Sequence, residues 1–98
     1  MPYIRRELRD QYEKAINDIL EIFKKYNADD NGLNIRPKAD GEMNYIITKL
    51  IDGAYSNLGY AEYNRAIGIL ECLKLEFYRR KISPYEDKKI QQNGEVYQ

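Results

Sequence analysis

Apolar residues in the first quarter of the chain recur at the spacing of an α-helix. At about 100° per residue they fall in one stripe that is less than half the circumference wide. The opposite face is charged, and oppositely charged residues four positions apart stabilise such a helix slightly. The pattern therefore predicts an amphipathic helix over residues 4–26. Its stripe consists of Ile4, Leu8, Tyr12, Ala15, Ile16, Ile19, Leu20, Phe23 and Tyr26.

Residues 27–41 interrupt this period with a run rich in Asn, Asp, Gly and Pro. Pro37 disfavours a helical conformation at the residue before it, so the pattern predicts a long connection. Asp40 offers an N-cap for a second helix over residues 42–58, because its carboxylate can accept a hydrogen bond from a free N–H group. Gly59 is a natural stop for this helix. Apolar positions at intervals of three and four support it: Met43, Ile46, Ile47, Leu50, Ile51, Ala54 and Leu58.

The third predicted helix covers residues 60–82 and is apolar around most of its circumference. A helix of this kind is expected to be buried on two sides. Its main stripe consists of Tyr63, Ala66, Ile67, Leu70, Leu73 and Phe77. A different side carries Cys72, Leu75 and Tyr78, and we expect this side to contact the C-terminal segment or another subunit.

Residues 83–86, Ser-Pro-Tyr-Glu, have the form of a capping box with proline at the first helical position. They predict a short fourth helix over residues 84–93 that ends at Gly94. We find no internal repeat and no linker between domains. We therefore expect residues 1–98 to form a single all-α domain, a small three-helix bundle with a short fourth C-terminal helix.

The composition narrows the chemistry that such a domain can perform. The 98 residues include 16 Lys and Arg, 16 Asp and Glu, no His and a single Cys. Without histidine the usual zinc, haem, Cys-His and Ser-His-Asp arrangements cannot be built, so we expect no enzyme activity and no cofactor. The basic residues are dispersed among acidic ones, which disfavours nucleic acid as a partner.

The same counts bear on the compartment. No apolar run approaches the roughly 18 residues of a membrane span, and no basic start leads into the apolar stretch of a signal peptide. A single cysteine cannot form an intramolecular disulfide, which fits a reducing compartment and a cytoplasmic location. The chain has ten tyrosines, two Phe and no Trp. Tyrosine is favoured where one end of the side chain is packed and the other end is in water, as at interfaces. Tyrosines that close a small core explain the same count.

Two acidic patterns resemble metal sites, and neither is complete. Residues 27–32 match the first half of a calcium loop, but Lys38 stands where that loop requires a bidentate Glu. An Asx-rich turn is the better interpretation. Glu7, Asp10 and Glu13 follow one another at intervals of three on the first helix, where a solvated face is favoured over a magnesium site. We expect no metal site.

A few charged and aromatic residues are candidates for ligand or partner contact. Arg79 and Arg80 lie near the end of the third predicted helix. They either bind a phosphate or interact favourably with the negative end of the helix dipole. Glu71 and Lys74 point between apolar positions, so we expect both to be partly buried, paired with each other or contacting a ligand or subunit. Tyr45 lies on the polar face of the second helix. The candidates are therefore Tyr45, Glu71, Lys74, Tyr78, Arg79 and Arg80.

Five stretches of the sequence, at residues 1–4, 44–50, 68–80, 84–90 and 93–97, carry a resemblance. They read MPYI, NYIITKL, GILECLKLEFYRR, PYEDKKI and NGEVY. Together they resemble an uncharacterised family of short proteins encoded by phages, prophages and other microbial genomes. The last stretch has Glu where the family pattern leads us to expect Asp. The resemblance implies a small cytoplasmic protein of phage or mobile-element type, and it implies no particular mechanism.

These observations predict a non-catalytic interaction protein that acts as a homo-oligomer on a host or phage protein. A two-fold dimer would pair the side that carries Cys72, Leu75 and Tyr78 with its own copy, and Glu71 would meet Lys74 across the axis. The alternative is a protein that sequesters a nucleotide between subunits, with tyrosines stacking on the base and the two arginines holding phosphate. A third hypothesis is a magnesium-dependent helical nucleotide hydrolase.

Overall fold

The structure, a computed structural model, describes residues 1–97 and is all-α, as the sequence predicts. In that part of the chain the β contacts are limited to one antiparallel bridge between Ala28 and Ile35. The packing of the helices as a three-helix bundle stays a prediction. The helices are α1 (Arg6–Asn27), α2 (Ala39–Tyr55), α3 (Tyr60–Phe77) and α4 (Ser83–Asn93), with a π-helical turn over Tyr78–Ile82 that joins α3 to α4.

The chain divides into two compact units. Residues 3–58 form the α1–α2 unit. Met1 and Pro2, together with the described residues from Gly59 onward, form the α3–α4 unit. The single domain predicted over residues 1–98 stays a prediction.

Helix α1 agrees with the prediction to within two residues at its start and one at its end. The side chain of Arg9 donates a hydrogen bond of 2.7 Å from Nε to the carbonyl oxygen of Ile4, which holds the chain at the helix entrance. Glu7 lies in the first turn, and Lys24 and Lys25 lie in the last. These charges have the signs that the helix dipole favours at each end.

The connection between α1 and α2 is organised by Asp29. Its carboxylate accepts hydrogen bonds from the Leu33 N–H at 2.9 Å and from the Asn34 side-chain amide at 2.8 Å. The Asn34 amide contributes most to lowering the pKa of Asp29 below its ordinary value of 3.8, and the Leu33 N–H follows. The N–H of Arg36 donates to the carbonyl oxygen of Asn27 at 2.9 Å and closes the turn. The predicted Asx-rich turn is confirmed.

Helix α2 begins three residues earlier than predicted and also ends three residues earlier. Its N–H groups at Ala39 and Asp40 donate to the carbonyl oxygens of Arg36 and Pro37, so a turn leads straight into the helix. Asp40 therefore lies inside the first turn, and its predicted role as N-cap is wrong. Backbone hydrogen bonds of this kind leave no trace in the apolar period, which is why the start was misplaced.

The predicted end of α2 at residue 58 is wrong because of the backbone at Asn57. Asn57 has a φ of 64°, which the interior of a right-handed helix cannot accommodate. Gly59 has a φ of 154° and precedes the next helix, accepting a 3.1 Å hydrogen bond from the N–H of Tyr63. It prepares the start of α3 rather than stopping α2.

The largest correction concerns the predicted break between the third and fourth helices. Helical structure continues from Tyr60 to Asn93. Ser83 has helical dihedrals and makes no capping bond with its side chain, so the predicted capping box does not form. Its N–H donates instead to the carbonyl oxygen of Tyr78, five residues back. Pro84 supplies no N–H and would crowd the carbonyl four residues before it, and a wider π turn relieves that crowding.

Burial is concentrated at the loop end of the α1–α2 unit. Phe23, Asn27 and Ala39 are buried, and the Asn27 side-chain amide donates to the carbonyl oxygen of Phe23 at 2.9 Å. In the α3–α4 unit, Ala66 is the one buried residue among those described. The two units therefore differ in how much of their apolar surface they cover.

Candidate interaction surfaces

The sequence-predicted interface residues lie together on α3 and its π-helical extension. Cys72, Leu75 and Tyr78 are spaced by three, and all three are exposed. Leu75 is 58% exposed and Tyr78 is 52% exposed. We call these three residues the α3 patch. It is an apolar surface on a helix, and such surfaces commonly mark interfaces.

The predicted pair of charges beside this patch forms within one helix. Lys74 Nζ lies 3.0 Å from Glu71 Oε1, one turn apart. Both side chains are mainly exposed, so the expectation that they are partly buried is wrong. An exposed pair of this kind contributes at most about 1 kcal/mol. The pair sits next to the α3 patch and leaves the patch itself open.

The arginines at the end of the third predicted helix have different surroundings. Arg79 lies 3.2 Å from both carboxylate oxygens of Glu76, whose side chain is only 21% exposed. The side chain of Arg80 has no hydrogen bond or ion pair with any residue in the described range 1–97. Since the helix continues into α4, these cations lie in its interior and not at a C-terminus. The dipole interpretation of their placement is therefore wrong.

A second surface lies in the α1–α2 unit around Tyr45. The cleft has a volume of about 440 Å³. Helix α1 contributes Ile19, Ile22 and Phe23 to its lining, and helix α2 contributes Gly41, Glu42, Tyr45 and Ile46. We call it the Tyr45 cleft. Tyr45 is 65% exposed, and the structure places this predicted contact residue on the wall of an apolar cleft.

Ile22 is a cleft residue that the sequence analysis missed. The stripe described for α1 leaves it out, although Ile19 and Phe23 on either side belong to that stripe. At 100° per residue Ile22 falls within the same apolar sector, so its helical phase was the signal that could have found it. It is 62% exposed and forms one edge of the cleft.

A third surface lies in the α3–α4 unit, where the start of the chain meets α3. Met1 and Pro2 line a cleft of about 570 Å³ together with residues of one α3 face. Those residues are Arg65, Gly68, Ile69, Cys72 and Leu73. Cys72 therefore lines this cleft and also belongs to the α3 patch.

Metal-site chemistry finds little support in the described residues. Within 1–97, no three His, Cys, Asp or Glu side chains are grouped to hold a metal ion. Both carboxylate oxygens of Asp29 are occupied by protein donors. Glu7, Asp10 and Glu13 are exposed on α1.

Comparison with known proteins gives one family. The model of a domain of unknown function, DUF6899, matches residues 1–96. The chain belongs to the DUF6899 family. No curated protein and no solved structure matches it. In this DUF6899 chain, no helix within the described residues is both long enough and apolar enough to span a membrane.

Membership in DUF6899 agrees with the resemblance to an uncharacterised family, and it assigns no activity. The function of the chain has to be argued from its surfaces. Predicted contact residues lie in the α3 patch, in the Tyr45 cleft and, with Cys72, also in the cleft at Met1 and Pro2. The α3 patch lies in the α3–α4 unit and the Tyr45 cleft lies in the α1–α2 unit.

Proposed function

We propose that this DUF6899 protein is a non-catalytic interaction protein that acts as a homodimer, with the α3 patch as the dimer interface. Its target is a host or phage protein in the cytoplasm, as the sequence resemblance and the single cysteine favour. The observation that carries the proposal is the exposure of Cys72, Leu75 and Tyr78 on one helical segment.

The α3–α4 unit buries little of its own apolar surface. Ala66 is its one buried residue among those described, and an isolated helix is only marginally stable in water. Fully burying a side chain such as that of Leu75 contributes about 1.5–3 kcal/mol. A second copy that covers the α3 patch would therefore stabilise the helix on which the patch lies.

A two-fold axis suits this patch because the same three residues would face each other on both subunits. Glu71 and Lys74 lie beside the patch, and they already form an ion pair with each other within one helix. In the dimer the pair can exchange partners across the axis with little change in energy, since both side chains are exposed. The three-helix bundle predicted from the sequence belongs to the same proposal.

Light scattering at micromolar concentration tests the dimer. The wild-type protein should be heavier than the 11.6 kDa of one chain. Leu75→Glu should shift the mass toward the monomer and keep most of the helical circular dichroism, because the substitution changes an exposed site. Leu33→Glu is the matched control: Leu33 is exposed on the α1–α2 connection, and its substitution should leave the mass unchanged. A wild type that stays monomeric at high concentration would refute the interface.

Cys72 supplies an independent measurement without any new cysteine. In the proposed dimer the two Cys72 thiols lie near the axis, within reach of a short bis-maleimide. Cross-linking should yield a covalent dimer from the wild type and much less from Leu75→Glu. Efficient cross-linking that is unaffected by Leu75→Glu would place the contact elsewhere.

The alternative proposal is a nucleotide ligand between subunits. Arg80, which has no partner in the described residues, is the observation that favours it, whereas Arg79 is already engaged by Glu76. Native mass spectrometry of protein purified without added ligand tests this alternative. A retained nucleotide that is lost in Arg80→Ala would support it, and the hydrolase hypothesis would in addition require magnesium-dependent turnover of a nucleoside triphosphate.

A further inference from the structure

We propose that the Tyr45 cleft binds a short amphipathic helix of a partner protein, with apolar side chains in the cleft and a lysine or arginine beside Glu42. The cleft lies entirely within the α1–α2 unit, and the dimer interface proposed above lies in the other unit. The inference goes beyond the proposed function by naming a site for the partner and the chemistry that recognises it.

The size and stiffness of the cleft fit apolar anchors. Its volume of about 440 Å³ is within the range of pockets that hold small ligands or a few side chains. Three of its lining residues are isoleucines, whose branched side chains have few rotamers, and Phe23, which also lines the cleft, is buried. A preformed apolar wall reduces the ordering cost of binding.

The charge of the residues that line the cleft favours a basic partner. Glu42 is the charged residue among those that line the cleft, and the hydroxyl of Tyr45 adds a second polar group. A phosphate entering here would meet a carboxylate, whereas a lysine or arginine would pair with it and could also lie over the tyrosine ring. Complementarity therefore favours a basic segment over a nucleotide.

The position of the cleft between two helices favours a partner segment that binds as a helix. The cleft runs between two helices, and an amphipathic helix places apolar anchors at intervals of three and four into such a groove. Binding by strand addition needs an exposed sheet edge, and the described residues contain only a single isolated bridge. A third helix is the form that can contact lining residues of α1 and α2 at the same time.

Gly41 provides a direct test because it lines the cleft and has open space where a side chain would stand. Gly41→Met should fill part of the cleft without straining α2. Gly53→Met is the matched control: Gly53 is also in α2, also has open space at the Cβ position, and does not line the cleft. Both variants should retain the helical circular dichroism of the wild type.

The probe is a labelled helical peptide of about 18 residues, or five turns, with a leucine stripe flanked by lysines. Fluorescence anisotropy measures its affinity, and methyl NMR should show shifts at Ile19, Ile22 and Ile46. We expect Gly41→Met to weaken binding by about tenfold or more and Gly53→Met to leave it within about twofold. Wild-type affinity in Gly41→Met, or no binding to the wild type at all, would overturn the proposal.

The role of charge is tested separately with the same peptide carrying glutamates in place of lysines. This peptide should bind about fivefold or more weakly, and Glu42→Gln should remove most of that difference. Glu13→Gln, on the exposed face of α1, is the control that should leave it unchanged. Equal affinity for the two peptides would overturn the charge assignment and with it the basic partner.

The cleft proposal and the dimer proposal can be refuted independently of each other. Leu75→Glu, which should abolish the dimer, should bind the basic peptide with wild-type affinity. If Gly41→Met alone lowers the mass measured by light scattering, the cleft holds a second copy of this chain and the partner proposal is wrong. A wild type that is monomeric and still binds the peptide would refute the dimer and keep the cleft.

Discussion

The two units of the molecule achieve helical structure in different ways. The α1–α2 unit has a small buried centre at Phe23 and Ala39 and a connection held by the hydrogen bonds of Asp29. The α3–α4 unit has one long helical segment in which Ala66 is the single buried residue among those described. Short-range hydrogen bonds and a few buried side chains support the first unit. The second depends more on whatever covers its apolar sides.

This difference separates two kinds of function. A unit with its own centre can present a preformed cleft, which is what the partner proposal requires of the Tyr45 cleft. A helix with uncovered apolar residues gains stability by association, which is what the dimer proposal requires of the α3 patch. Substitutions that act on one unit and spare the other are therefore the sharpest tests of the comparison.

The largest effect is expected at the buried centre of the α1–α2 unit. Phe23→Ala should lower the free energy of unfolding by about 3 kcal/mol, because it removes a buried ring and leaves a cavity. Urea titration followed by circular dichroism measures this loss. Ile22→Ala is the control, since the neighbouring Ile22 is mainly exposed and should change stability by less than about 1 kcal/mol. Equal losses in the two variants would mean that Phe23 does not anchor a core.

A smaller change is expected from the proline in the α3–α4 unit. Pro84→Ala restores an N–H donor and removes ring crowding, so the π turn over Tyr78–Ile82 should revert toward an α-helix. We expect a stability gain of about 1–3 kcal/mol and slower hydrogen exchange in this turn. Pro37→Ala is the control, because Pro37 precedes α2 and lies outside every helix. A gain at Pro37 as large as that at Pro84 would contradict the account of the π turn.

The smallest effect is the pH dependence that Asp29 contributes. Because hydrogen bonds lower the pKa of Asp29 in the folded protein below its ordinary value of 3.8, its carboxylate stabilises the fold above that pH. This contribution should be lost as the pH falls through the folded-state pKa. Thermal melts between neutral and acidic pH should therefore show a flatter dependence for Asp29→Asn than for the wild type. Asp30→Asn, at the exposed neighbour, should retain the wild-type slope, and an identical flattening there would contradict the assignment.

The local patterns of the sequence were sufficient for much of the fold. The stripe from Ile4 to Tyr26 predicted α1 almost to its ends because a helix that buries one face must repeat its apolar positions at that period. The Asx-rich composition of residues 27–32 predicted the turn that Asp29 forms. Both features depend on residues that are close together along the chain.

The ends of the helices were predicted less well, for reasons that the apolar period does not contain. The start of α2 depends on N–H groups bonding to Arg36 and Pro37, and its end depends on the positive φ of Asn57. The capping-box pattern of residues 83–86, with proline at the first helical position, predicts a new helix, whereas the existing helix accommodates the proline by widening one turn. Several backbone conformations satisfy the same sequence pattern there, and local hydrogen bonds and the proline ring select among them.

The helical character of this protein, its charged and apolar faces and the spacing of Cys72, Leu75 and Tyr78 by three residues all follow from the order of residues along the chain. That Tyr45 borders a cleft with Ile19, Ile22 and Phe23, which are more than twenty residues away along the chain, became visible only from the positions of the two helices. The two kinds of feature differ in the distance along the chain over which the residues interact. Helical phase is set by neighbouring residues, whereas a cleft needs two helices brought together by the hydrogen-bonded turn between them.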